Sequence, residues 1–154
     1  MRGTIYAFEP LPAHPARLVY LAGPIDRESP ATDWHGEAIR ELRSAEFDGS
    51  IVVPAPRPGS VERRDAAEQI SWEHAAMSRA DAILFWIPRV LWSLPGLTTN
   101  LEWGIWHDSG KAVLSAPPNA PRMRYLRFHA ERVQAPQADS LRAAAKLVAV
   151  IATR

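Results

Sequence analysis

The sequence lacks several features that assign a protein to a class at once. Its 154 residues include no cysteine, which excludes disulfide bonds and thiolate metal sites. The five histidines are scattered without an HExxH-like pair, so we expect no metal site. No apolar run is long enough to span a bilayer, and the first residues lack the apolar stretch of a signal peptide. We therefore expect a cytoplasmic protein with no membrane partner.

Common nucleotide-binding and hydrolase motifs are missing as well. The segment AGPIDRES has one glycine and no GxGxxG, and neither GxxxxGK[ST] nor GxSxG occurs anywhere. A dinucleotide fingerprint, a triphosphate-binding loop and a serine nucleophile elbow are thus unsupported. The formal net charge of +1 indicates no broad surface for nucleic acid. The basic run RMRYLR is interpreted as a solvated strand edge.

Proline and tryptophan are plentiful, with 14 and 6 residues, and the prolines mark loop boundaries. Short apolar runs alternate with stretches of helical periodicity between them. We predict strands in RLVYLAG, SIVVPAP, DAILFWIP and KAVLSAPP, an edge strand in GTIYAFEP, and further strands in RYLRFHA and ERVQA. We predict helices in TDWHGEAIRELRSA, AAEQISWEHAAMSRA, TTNLEWGIWHDSG and SLRAAAKLVAVIATR.

This alternation predicts an α/β fold with a doubly wound, mostly parallel sheet of the flavodoxin or Rossmann-like kind, in a three-layer sandwich. The length suits one domain over residues 1–154. Ligands in such folds bind at the carboxyl ends of the strands. Three predicted strands end at Gly23-Pro24, Pro54 and Pro88, so a binding crevice is expected there. The helix that starts near Thr98 opens onto the same edge.

Three acidic residues are candidates for chemistry. Asp81 begins a predicted strand at the end away from the crevice, so we interpret it as a turn residue. Glu73 lies on the preceding helix between Trp72 and His74, and a solvated helix face is its structural alternative. Glu102 lies near the start of a helix that faces the crevice, and it is the most informative of the three.

Glu102 has two interpretations that its surroundings leave open. Thr99 precedes it by three residues and apolar residues follow, which is typical of a helix capping box. The same position places a carboxylate in the first helical turn, where the helix dipole stabilises its anion. Such a carboxylate suits a nucleophile or an electrostatic stabiliser.

Four tryptophans surround the strand, loop and helix that contain Glu102. They are Trp86, Trp92, Trp103 and Trp106. Four indole rings in one unit favour a slot for a planar ring. The structural alternative is a bulky core.

The segments VYLAGPI, ISWEHAAMSRADAILFWIP and GLTTNLEWGIWHDSGKAVL, in this order, resemble the nucleoside 2-deoxyribosyltransferase family and its nucleotide N-hydrolase relatives. The similarity covers about residues 18–115. Its most specific part is the Glu-x-Gly unit at 102–104, with Gly110-Lys111 before the next strand. The resemblance implies that Glu102 is the catalytic nucleophile. It also places Glu73 where the family has an acid, usually Asp, on the preceding helix.

The implied reaction is cleavage of an N-glycosidic bond and transfer of a (deoxy)ribosyl group between nucleobases. Glu102 would form a glycosyl-enzyme ester, and Glu73 would position the sugar or assist proton delivery to the leaving base. No cofactor is expected. The resemblance implies these contacts with a nucleoside or nucleotide: Tyr20, Gly23 and Pro24 at the sugar, Trp72, Trp86 or Trp92 on the base, and Thr99 and Asn100 ahead of the nucleophile.

The chain departs from the family pattern at two places. Transferases commonly carry another Asp in the loop before the nucleophile, where this chain has the uncharged residues 94–97. The hydrolase relatives hold a phosphate with Ser and Arg near the first strand loop, where this chain has Pro24 and, further along, Arg27. A hydrolase that acts on nucleoside 5′-monophosphates is therefore one alternative, and a non-catalytic nucleotide sensor is another. We expect a homo-oligomer, because a neighbouring chain often completes the site in this family.

Overall fold

A computed structural model describes residues 3–26, 33–60 and 65–154. Within these residues strands and helices alternate along the chain. The strands are β1 (Thr4–Tyr6), β2 (Leu18–Ala22), β3 (Ser50–Val53), β4 (Ala82–Trp86), β5 (Ala112–Ser115) and β6 (Gln137–Ala138). The helices are α1 (His35–Ser44), α2 (Ala66–Arg79), α3 (Leu97–Trp106), α4 (Arg124–Arg132) and α5 (Leu141–Ala152).

The six strands form one parallel sheet in the order β1-β3-β2-β4-β5-β6. From β2 the chain first adds β3 on one side and then adds β4 on the other side. The strand order therefore reverses between β2 and β4, and their carboxyl ends leave a crevice between them. The predicted α/β class and the doubly wound, parallel sheet are confirmed.

The sheet is covered on both faces, which completes three layers. Ala38 and Leu42 of α1 share one core with Val148 of α5. Met77 of α2 and Trp103 of α3 belong to the core on the opposite face, to which α4 also contributes. Strands covered on both faces need continuous apolar sequences, and every residue of β2 and β4 is buried.

The terminal helix α5 buries the face that its periodicity predicts. Leu141, Ala145, Val148 and Ala152 are all buried. The Ser140 hydroxyl accepts a hydrogen bond from the Ala143 amide at 3.2 Å and caps the helix. At 12 residues, α5 is far shorter than a bilayer span, and no helix in the described parts of the chain is long and apolar enough to cross a membrane.

The start of α1 differs from its prediction. Trp34 occupies the N-cap position and makes no side-chain cap hydrogen bond. Asp33, one of the two expected caps, accepts a hydrogen bond from the His35 amide at 2.9 Å. Thr32, the other expected cap, lies outside the described residues.

The strands predicted in RYLRFHA and ERVQA are wrong, and so is the interpretation of RMRYLR as a strand edge. The helix α4 occupies this region and leads into a turn before β6. Met123, Leu126 and Ala130 are its buried residues. Their spacing of three and four is helical, but it spans too few residues to stand out between arginines and aromatics that also suit strands.

Candidate active site

A cavity of about 440 Å³ opens at the carboxyl end of β2. Its volume lies within the range of small-molecule pockets, about 300–1,000 Å³. It is lined by the loop after β2, one face of α2, the segment before α3 and α3 itself. Gly23, Pro24 and Pro54 line it as the strand ends predict, whereas Pro88 is not among the lining residues.

The loop after β2 is fixed by a close approach to β4. A Cβ atom on Gly23 would collide with the Trp86 carbonyl oxygen and would come within 2.7 Å of the Trp34 ring, so only glycine fits there. Pro24 is buried, and its carbonyl accepts a hydrogen bond from the Trp34 indole at 3.1 Å. These contacts give the cavity one rigid wall.

The opposite wall begins at Gly96, which adopts a left-handed conformation with φ of 67° at the N-cap of α3. A side chain at this φ would be strained, so glycine suits the position. A Cβ atom there would lie 3.5 Å from the Pro24 ring, which shows how closely the two walls approach each other. Leu97 therefore begins the helix, earlier than the Thr-x-x-Glu pattern predicts.

This early start decides between the two interpretations of Glu102. No side chain caps α3, and Thr99 lies within the helix rather than at its N-cap, so the capping-box interpretation is wrong. Glu102 is the sixth residue of α3 and therefore lies in its second turn. Its side chain lines the cavity.

Glu73 lines the same cavity from α2. Gln69, one helical turn earlier, donates a hydrogen bond to Glu73 Oε1 at 2.9 Å and also lines the cavity. Tyr20 contributes from β2, and its pKa is raised by burial and by the charges of Glu73 and Glu102. Two carboxyl groups and one phenol from three different elements therefore share the site.

Burial and the neighbouring charge of Glu73 raise the pKa of Glu102 to about 7. Glu102 lies beyond the first helical turn in which the dipole was expected to stabilise its anion, and the net shift of its pKa is upward. Among the described residues that line the cavity there is no lysine, arginine or histidine. Ionising both carboxyl groups therefore places two negative charges that repel each other in a partly buried site.

The sequence relatives can now be set beside this geometry. Residues 16–120 match a family model described as nucleoside 2-deoxyribosyltransferase like. The chain belongs to the nucleoside 2-deoxyribosyltransferase-like family. Its members are generally enzymes, and membership supports a general role in deoxyribosyl transfer or glycosidic cleavage. No curated protein matches the chain.

The matched segment contains Tyr20, Glu73 and Glu102, which line the cavity, and it ends before α4. The nucleoside 2-deoxyribosyltransferase-like part of the chain thus coincides with the elements that build the site. The resemblance seen in the sequence is confirmed at the level of the family. The individual roles of Tyr20, Glu73 and Glu102 remain predictions.

The four tryptophans around Glu102 do not form a slot at the cavity. Trp86 and Trp103 are buried, and Trp103 packs edge-on against Phe85 with ring centroids 5.2 Å apart. Trp106 lies behind the cavity against His74. None of these indoles is a lining residue, so the bulky core is the correct interpretation for Trp86 and Trp103.

The two other tryptophans proposed to stack on a base also lie away from the cavity. Trp72 packs against Phe8, and its indole N–H donates to the Glu9 carbonyl at 3.3 Å. Trp92 is 89% exposed in the loop before α3. Contacts between these rings and a base stay predictions that this arrangement does not support.

The residues ahead of Glu102 separate into two groups. Thr99 is buried and lines the cavity. Asn100 faces another direction, and its side-chain oxygen accepts a hydrogen bond from the buried Arg89 guanidinium. Arg27, the candidate phosphate ligand, lies outside the described residues.

Several lining residues were missed by the sequence reasoning, and three of them lie on the helices that carry the carboxyl groups. Gln69 and Ile70 come from α2, and Thr98 comes from α3. Helical spacing was the available signal, because Gln69 and Thr98 lie four residues before Glu73 and Glu102 and therefore on the same helix faces. Uncharged polar side chains of this kind can hydrogen-bond sugar hydroxyls.

Asp81 lies at the amino end of β4, away from the cavity. Its carboxylate accepts a hydrogen bond from the Leu18 amide at 2.7 Å and lies 3.4 Å from the Arg79 guanidinium. The prediction of a structural role is confirmed. In the described segments no three His, Asp or Glu side chains converge as metal ligands would.

Proposed function

We propose that the protein cleaves the N-glycosidic bond of a nucleoside and transfers the (deoxy)ribosyl group to a second nucleobase through a glycosyl ester on Glu102. One observation carries this proposal. Glu102 and Glu73 line one cavity from two helices, together with Tyr20 from β2. Family membership supports the class of reaction.

This charge arrangement suits the transition state of glycosyl transfer. As the bond between C1′ and the base nitrogen breaks, positive charge develops on the sugar ring. The carboxylates of Glu102 and Glu73 stabilise that charge, and they stabilise it more than they stabilise the neutral substrate. The repulsion between the two carboxyl groups is thereby offset during the reaction.

The reaction then has two halves. A Glu102 oxygen attacks C1′ as the bonding electrons leave with the base, which takes up a proton that Glu73 helps to deliver. A nitrogen of the second base then attacks C1′ and loses its proton, which Glu73 helps to take up again, while the ester bond breaks and the Glu102 carboxylate is restored. Attack requires the ionised form of Glu102, so the reactive form predominates above pH 7.

The described lining also favours an uncharged nucleoside over a nucleotide. A 5′-phosphate placed beside Glu73 and Glu102 would be repelled by their carboxylates. Gln69, Thr98 and Thr99 offer neutral hydrogen-bonding groups that match sugar hydroxyls. This preference separates the proposed activity from hydrolysis of nucleoside 5′-monophosphates.

A panel of nucleosides and their 5′-monophosphates tests the proposal, with free base and new nucleoside followed by chromatography. With a second base present we expect a new nucleoside from at least one substrate. Release of base at the same rate with and without acceptor would instead identify a hydrolase. Binding without any cleavage across the panel would contradict the proposal and favour a sensor.

We also propose that a second copy of the chain covers the outer face of α3. Leu97, Leu101 and Ile105 lie four residues apart on this face and are 73%, 67% and 54% exposed. Because the row is uncharged, an identical row can pack against it in a twofold interface. Leu97 also lines the cavity, so the second copy would lie at its mouth. Light scattering should show a dimer or larger assembly for the wild type and a monomer for Leu101→Glu.

A further inference from the structure

Lys111 closes the carboxyl end of α2. It follows Gly110 at the start of β5, and its ammonium group donates hydrogen bonds to the carbonyls of Met77, Ser78 and Ala80 at 2.8, 2.9 and 2.8 Å. The last carbonyls of a helix lack partners within the helix and carry its negative pole. The Lys111 ammonium group, with its three donors, therefore fixes this end of α2 from the position directly before β5.

The same ammonium group contacts the end of α3. It lies 4.9 Å from the centre of the Trp106 ring, within the range of cation–π contacts. Trp106 is the last residue of α3, and its ring also lies 5.5 Å from that of His74 on α2. Lys111 thus contacts the carboxyl ends of both α2 and α3.

Both contacts lie one helical turn from the carboxyl groups of the cavity. Met77 is four residues after Glu73 on α2, and Trp106 is four residues after Glu102 on α3. Like charges on neighbouring helices repel each other, and this repulsion favours separation of the two helices. A link between the helix ends opposes that separation.

We propose that Lys111 is a positioning residue that sets the distance between Glu73 and Glu102 by binding the ends of α2 and α3. The inference rests on the proposed function for its catalytic meaning, but the geometry it describes is independent of turnover. A cation suits this role, because it is attracted both to the negative pole of α2 and to the face of the Trp106 indole. A neutral side chain of the same length provides neither attraction.

The charged groups near Glu102 and near Lys111 determine how a titration of Glu102 is interpreted. Glu73 and Tyr20 face Glu102, and among the described residues they are the ionisable groups that share its cavity. Asp81 and Arg79 lie near Lys111, and burial lowers the pKa of its ammonium group. Lys111 is not among the groups that shift the pKa of Glu102, so its removal acts on that pKa through geometry.

The test compares Lys111→Met with Lys146→Met, which changes the other lysine of the chain at an exposed position on α5. Carbon-13 NMR follows the titration of the Glu102 carboxyl carbon, assigned with Glu102→Gln. We expect Lys111→Met to lower the pKa of Glu102 by about 1, because the carboxyl groups separate and water enters. It should also lower kcat about tenfold, since misplaced catalytic groups are costly. Lys146→Met should change neither, and Lys111→Arg should restore part of both.

Trp106→Leu provides a second route if Lys111→Met does not fold. It keeps the three carbonyl hydrogen bonds and removes the contact with α3, so the pKa of Glu102 should again fall. A folded variant of either kind with the wild-type pKa at Glu102 would overturn the inference. A lowered pKa in a protein that cleaves no nucleoside would instead retain the inference and reject the proposed function.

Discussion

The two edges of the sheet treat acidic side chains in opposite ways. At the amino edge, the Asp81 carboxylate accepts a hydrogen bond from the Leu18 amide and pairs with the Arg79 guanidinium. At the carboxyl edge, Glu102 receives no hydrogen bond or cation from the described residues, and its pKa is raised to about 7. Asp81 thus links elements of the fold, whereas burial and the charge of Glu73 make the ionised form of Glu102 unfavourable. Unfavourable electrostatics in a cavity indicate that the site serves a ligand or a reaction rather than stability.

The largest effect should come from Glu102→Gln, which keeps the size of the side chain and removes the nucleophile. We expect cleavage to fall by at least about a thousandfold, as is typical when a covalent nucleophile is lost. Initial rates of base release from the best nucleoside of the panel provide the measurement. Cleavage above a tenth of the wild-type rate would show that Glu102 is not the nucleophile.

Glu73→Gln should have the next largest effect. A group that positions the sugar and assists proton delivery contributes about a hundredfold to the rate. The loss should be smaller for nucleosides whose bases leave readily, because their departure needs less protonation. An equal loss of rate for good and poor leaving groups would show that Glu73 does not assist proton delivery.

Asp81→Asn is the matched change at the amino edge. It weakens a charge-assisted hydrogen bond and an ion pair that join β2, α2 and β4, so urea denaturation should show a loss of about 2 to 3 kcal/mol. The rate per folded molecule should stay at the wild-type value. A large fall in that rate without a loss of stability would show that Asp81 acts in the reaction, which contradicts the proposed difference between the two edges.

Glu102→Gln should also make the protein more stable at high pH. The folded-state pKa of about 7 exceeds the ordinary value of 4.5, so the folded chain holds this proton more tightly than the unfolded chain. Stability should therefore fall as pH rises from 4.5 to 7, and the substitution should recover about 3 kcal/mol at pH 8. Urea denaturation at pH 5 and pH 8 provides the comparison. Equal stability of the two proteins at pH 8 would mean that the pKa of Glu102 is not raised.

The sheet could be predicted from the sequence because its buried strands are continuous apolar runs between turn residues. Glu73 and Glu102 could be found because their neighbours carry family motifs. The helix α4 was missed because its apolar face has few residues. Local patterns identify elements well where the pattern is long and poorly where it is short.

The start of α3 and the surroundings of Glu102 required the tertiary structure. Thr99 and Glu102 have the spacing of a capping box, yet the helix starts earlier, after Gly96 in its left-handed conformation. The raised pKa of Glu102 arises from burial in the folded chain and from the charge of Glu73, which is 29 positions away in the sequence. No local pattern reports such a distant charge, and none reports that the tryptophans face the core.

The most direct test of the account is to look for the covalent intermediate. The enzyme is mixed with a deoxynucleoside in the absence of acceptor, quenched in acid within milliseconds, digested and examined by mass spectrometry. The account predicts a peptide that carries one deoxyribosyl group on Glu102, and this peptide should be absent from Glu102→Gln. Rapid base release with no modified peptide, or with the sugar on another residue, would contradict it.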